Sequence, residues 1–174
     1  MIDMRTQHAT ASSLRERILE HSLVADIWRL LWSAGITDVE ILRSEFDGYG
    51  YDLVIAWGVV VRHVQLKAGR LKNPGNFDIA TSLADKPSGC VVYLDVDDAL
   101  EVRAYWYFGA EPGEPMPSLE GYRPARRIGR TAEGVRPDRK NHVRLRGSGF
   151  QRLDGLEQLV ERLLGRIDGG GETT

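Results

Sequence analysis

Apolar residues early in the chain recur with a helical period: Leu23, Ile27, Leu30, Leu31 and Ala34 share a face, and Trp28 and Trp32 widen it. The pattern predicts a helix from Ser12 or Ser13 to about Ala34, with Gly35 as its stop and Ser13 and Glu16 at capping-box spacing. Beyond it the period changes to two. Strands are expected at 37–45, 52–57, 59–68, 90–96, 102–108 and 141–146, with Trp57-Gly58 as a hairpin turn between the second and third. A short helix is expected over 77–85 and a C-terminal helix over 153–167, whose Leu156, Leu159, Val160, Leu163 and Leu164 form a continuous stripe. The proline-rich stretch at 111–118 reads as a surface loop, and residues 169–174 as a disordered tail.

No repeat or composition shift divides the chain, so residues 1–168 read as a single domain. The order helix, three strands, helix, strands, helix indicates an α/β or α+β fold in which helices cover a mixed sheet. With 42% hydrophobic residues in 174, one sizeable core is affordable without a partner. The single cysteine, Cys90, lies in the apolar run GCVVYLDV and is expected to be a buried thiol in a reducing compartment. Neither a signal peptide nor an apolar run of membrane-spanning length is visible, so a cytoplasmic protein with no membrane association is expected.

The hairpin carries the chemistry. With Trp57 and Gly58 in the turn, Asp52 faces His63, and Gln65 is its diagonal neighbour at roughly 7 Å between backbones. Alternation then places His63, Gln65 and Lys67 on Asp52's side, and Arg62, Val64, Leu66 and Ala68 on the other. A one-residue displacement of the turn is expected to move Asp52 to the opposite face. The Asp52 carboxylate and the Gln65 amide oxygen are hard donors suited to Mg²⁺, and Lys67 could hold a water or stabilise charge on a phosphate. That set suits metal-assisted hydrolysis of a phosphodiester. An Asp–Lys ion pair on a solvated sheet face, with Gln65 incidental, is the alternative.

Asp52, twelve further residues, then Gln65-Leu66-Lys67 resembles the PD-(D/E)xK nuclease motif in its Q-x-K variant. The resemblance covers roughly residues 13–96 and implies a restriction-endonuclease-like α-β-β-β-α-β core. Its central mixed sheet would be flanked by helices, with a further C-terminal strand and helix. It implies Mg²⁺ or Mn²⁺ as cofactor, held by Asp52, Gln65 and a glutamate of the first helix, with Lys67 completing the catalytic set. Glu20 shares the face of Leu23 and Ile27 and is the expected glutamate; Glu16, one turn earlier, is the fallback. Tyr51 stands where proline is usual and Gln65 where an acid is usual, which removes one negative charge from the metal site.

Formal charge nearly cancels, with 23 Lys+Arg against 25 Asp+Glu, but the signs are segregated. Residues 122–146 hold nine basic side chains against two acidic, and residues 95–120 one against seven. The basic segment suits contacts with nucleic-acid phosphates, DNA being expected. Arg70, Lys72, Arg123, Arg126, Arg127, Arg130 and Arg144 are its candidate binding residues. Pairing of the two segments with each other is the other reading. A metal-dependent nuclease is therefore expected. The alternatives are a catalytically inactive protein of the same fold that binds nucleic acid or a protein partner, and a homodimeric module joined through its C-terminal helix.

Overall fold

The computed structural model describes residues 10–45, 48–70, 72–126, 129, 134 and 136–167. Helix α1 (Ser12–Ser33) is followed by β1 (Glu40–Arg43), β2 (Leu53–Trp57), β3 (Val60–Gly69), β4 (Phe77–Ala80) and a 3-10 turn (Thr81–Leu83). Then come β5 (Gly89–Val96), β6 (Val102–Gly109), β7 (Pro124–Arg126), β8 (Asp138–Leu145), β9 (Gln151–Leu153) and helix α2 (Leu156–Leu164). Six strands form a mixed sheet in the order β1-β2-β3-β5-β6-β9, and β4-β8-β7 form a second, three-stranded sheet. The chain has an α/β fold with a central mixed sheet flanked by helices, an arrangement consistent with the broad restriction-endonuclease-like architecture.

Both helices pack on one face of the large sheet. Leu19, Leu23, Ile27 and Leu31 of α1 and Leu159, Val160, Leu163 and Leu164 of α2 join Leu53, Ile55, Val64, Val92 and Leu94 in one core. The small sheet serves the opposite face, where Ile79, Leu83 and Leu145 meet Val91, Tyr93 and Phe108. Strand β5, parallel to β3 and antiparallel to β6, is buried along its whole length, as its apolar run from Cys90 to Leu94 requires, and the one charge in it, Asp95, is paired with Arg103.

Helix α1 ends as its sequence implies. Gly35 has φ +75°, the Ile36 N–H donates to Leu31 O and the Gly35 N–H to Trp32 O, a Schellman stop. Its start differs. Ala11 is the N-cap and no side chain caps it, so the Ser13–Glu16 box does not form; the helix begins at Ser12 and takes both serines into its first turn. Trp28 and Trp32 are 50% and 75% exposed, because the core-facing stripe is already filled by Leu23, Ile27 and Leu31.

Three expectations about elements change. The segment 77–85 is strand β4 followed by the 3-10 turn rather than a helix, because it pairs antiparallel with β8 from Phe77↔Leu145 to Ala80↔His142. The core order therefore lacks the expected second α-helix. Strands β7 and β9, each of three residues, are additional, and β8 begins at Asp138, three residues before the expected strand. The proline-rich loop buries Met116 in the second core. Residues 169–174 lie outside the described residues.

Arg62 is fully buried beneath α2. Its guanidinium donates to Leu163 O at 3.2 Å, Arg162 O at 2.8 Å, Ala110 O at 3.2 Å and Ser88 Oγ at 2.7 Å. It thus meets the carbonyls and negative dipole end of the last turn of α2, a favourable place for a cation. The apolar stripe of α2, the basis for a dimer interface, is spent on the chain's own core.

Candidate functional site

The turn between β2 and β3 is Gly58-Val59, one residue later than expected, with Gly58 at φ +57° and Trp57 paired to Val60. The pairing shifts by two residues: Val54 faces His63, and continuing the ladder puts Asp52 opposite Gln65. Moving both turn residues by one changes every partner by two, so the face is kept and the expected flip does not occur. Asp52 is closer to Gln65 in register than the sequence implied.

Asp52 is pinned from three sides. Its N–H donates to Val64 O at 2.8 Å, its carbonyl accepts the Ser44 N–H at 2.9 Å, and its Oδ2 accepts the Leu66 N–H at 2.6 Å. The last bond is charge-assisted and holds the carboxylate against the Gln65-Leu66-Lys67 backbone. The loop feeding Asp52 is held by close approach at Gly50, where φ is +75° and a Cβ would lie 2.6 Å from the Cβ of Ala80. Only glycine fits that conformation and that space.

Asp52, Gln65 and Lys67 line one cavity of about 520 Å³ with Glu16, Glu20 and Glu45. It lies where the first turns of α1 cross the ends of β1 and β3. All four residues expected to build the centre, Glu20, Asp52, Gln65 and Lys67, line it. Glu20 does so in an ion pair with Arg43. Lys67 enters no ion pair among the described residues, so the expected alternative of an Asp52–Lys67 pair is not formed.

Gln65 is 8% exposed, yet its Oε1 has no hydrogen-bond partner among the described residues. A buried amide oxygen left unpaired costs about 1–3 kcal/mol. As a hard acceptor beside a carboxylate, it fits a divalent cation better than it fits an apolar core. Among the described residues no group of three or more His, Cys, Asp or Glu side chains is placed to hold a metal. The cavity's donor set relies instead on an amide.

His63, on the same face, packs edge-on against Tyr51 at 4.9 Å between centroids and leaves Nδ1 buried without a partner. Burial, and secondarily the Lys86 ammonium, hold its pKa below the ordinary value.

Arg15 and Arg17 of α1 line this cavity, but none of the described residues expected to bind nucleic-acid phosphates does. Arg70 pairs with Asp98 at 2.6 Å, and Arg144 grips Asp78 with two bonds at 2.7 and 3.1 Å. Lys72, Arg123 and Arg126 are exposed, and Arg127 and Arg130 lie outside the described residues. No ion pair among the described residues joins the acidic segment 95–120 to the basic segment 122–146; Asp95, Asp98 and Glu111 pair with Arg103, Arg70 and Arg162.

A second cavity of about 160 Å³, not expected from the sequence, shares Gln65 and Lys67 with the first. Asp78 and Ala80 of β4 and Arg139 and His142 of β8 supply its far wall. Arg139 and His142 are three residues apart, a spacing that a regular strand sends to opposite faces. Asn141 at φ +60° and the register shift between β7 and β8 break that alternation.

No protein-family model, curated protein or solved structure matches the chain. The likeness to PD-(D/E)xK nucleases therefore rests on the motif and on the general architecture.

Proposed function

We propose that this chain binds nucleic acid, DNA being the expected polymer, at a site of PD-(D/E)xK type, which a divalent metal would make a phosphodiesterase. The supporting observation is the unpartnered, buried Oε1 of Gln65, a residue that lines a cavity together with Asp52, Glu20 and Lys67. Asp52 and Gln65 would hold Mg²⁺ or Mn²⁺, and Glu20 would join them on leaving Arg43. Such an ion acts as a Lewis acid on a phosphoryl oxygen and lowers the pKa of a water. The Lys67 ammonium would orient the attacking water and offset charge growing on the phosphate. Asp52, fixed by three backbone hydrogen bonds, keeps the site in place without reorganisation. Lys72, Arg123 and Arg126 are exposed and available to strand phosphates, while Arg70 and Arg144 would first have to leave their carboxylates.

A non-catalytic reading, in which the same fold binds nucleic acid or a protein partner, is favoured by specific observations. The described residues hold no three-acid cluster, Glu20 is neutralised by Arg43, and an amide occupies the second ligand position. On these counts binding has more support than hydrolysis. Incubating plasmid and single-stranded DNA with Mg²⁺ or Mn²⁺ at low salt separates the two. Cleavage by the wild type that falls about a hundredfold in Lys67→Ala supports the enzyme. Salt-dependent binding without cleavage by either assigns the second reading, and neither binding nor cleavage overturns both for nucleic acid.

A further inference from the structure

Gln65 and Lys67 line both cavities, a wall that the two share. The two sides differ in charge. Toward the first stand Glu16, Glu20, Glu45 and Asp52 with Arg15 and Arg17, Glu16 lying 4.0 Å from Arg15 and Glu20 paired with Arg43; toward the second, Arg139, His142 and Asp78. Asp78 is neutralised by the Arg144 fork, which leaves Arg139 and Lys67 as the charges there without an ion pair among the described residues. His142 adds a polar ring whose Nδ1 lies 3.1 Å from Lys140 O, an arrangement that fixes Nδ1 as the donor to that carbonyl. A space of about 160 Å³ has the room of roughly five waters, too small for a base pair and ample for a phosphate with its attached atoms.

We propose that the second cavity is a phosphodiester subsite, in which Arg139 and Lys67 hold a backbone phosphate next to the one at the first cavity and Gln65 donates to it through its amide nitrogen. The inference rests on the nucleic-acid reading above for the identity of its occupant. It also accounts for an amide where an acid is usual: an ionised carboxylate only accepts hydrogen bonds, whereas an amide accepts on one side and donates on the other. A glutamate in this wall would favour a cation in the first cavity and repel a phosphate in the second.

The test uses the full chain and two substitutions, Gln65→Glu and Arg139→Ala, with a fluorescein-labelled oligonucleotide as probe in EDTA, so that neither metal nor turnover intervenes. Anisotropy should show strand binding weakened about tenfold or more by each. For Arg139→Ala the slope of log K against log salt should fall by about 0.7–0.9, the share of one phosphate contact. Arg139 is exposed, so its removal leaves the fold intact even if Gln65→Glu does not fold. Wild-type affinity and salt slope in Arg139→Ala would overturn the subsite, as would undiminished binding by a folded Gln65→Glu. Mn²⁺ titration is read separately: absence of Mn²⁺ binding in the wild type overturns the hydrolytic reading, and the subsite stands if strand binding still depends on Arg139.

Discussion

Replacing Gln65 by methionine removes a buried acceptor that has no partner while nearly conserving length and volume. Gln65 is 8% exposed and its Oε1 is unpaired, so the wild type carries a desolvation cost of about 1–3 kcal/mol that Gln65→Met does not. For a chain of this size each kcal/mol moves the midpoint by roughly 2–4 °C, so the variant should melt roughly 2–12 °C higher in EDTA. Divalent metal should then reverse the order. An ion bound only by the folded state, at a hundred times its Kd, adds about 2.7 kcal/mol to the wild type and much less to a variant lacking one ligand. Thermal melts across a Mg²⁺ or Mn²⁺ titration measure both effects. A variant less stable than the wild type in EDTA would show that Oε1 is satisfied, and equal gains from metal would show that Gln65 is not a ligand.

Arg62→Ala leaves the Leu163, Arg162 and Ala110 carbonyls and Ser88 Oγ without their buried donor, so urea unfolding should show a loss of about 3–5 kcal/mol; a loss under 1 kcal/mol would refute the capping role. The His63 pKa is held below its ordinary 6.5, chiefly by burial, so the unfolded chain takes up this proton first as pH falls. Stability should therefore decline below about pH 6.5 and level off beneath the folded-state pKa. His63→Gln should flatten that part of the pH profile, and an unchanged profile would refute the assignment. The Cys90 thiol is pushed up to about 12, mainly by burial. At pH 8 it should ignore a disulfide reagent in the native protein and react at once in urea; fast native reaction would contradict its burial.

Much of the architecture is written in local pattern. The α1 stripe, the alternation of β2 and β3 and the apolar run of β5 each state which face is buried. The polar face of the hairpin was legible even with the turn misplaced by one residue, since a two-residue shift in pairing preserves parity. What local pattern does not carry is long-range pairing. Four residues, Phe77 to Ala80, are too few to show a period, and only their ladder with β8 makes them a strand. The second cavity was hidden for the same reason, its wall depending on the β4–β8 pairing and on a positive φ at Asn141. Arg62 read as an ordinary residue of the apolar face, and its role emerges only when α2 returns across the sheet.

The proposed metal site depends on whether Asp52 and Gln65 hold a divalent ion. Calorimetric titration of Mn²⁺ into the wild type and into Asp52→Asn, without nucleic acid, measures this most directly. One site is expected in the wild type, with affinity lost or weakened about a hundredfold in the variant. No binding in the wild type, or equal binding in both, would refute it.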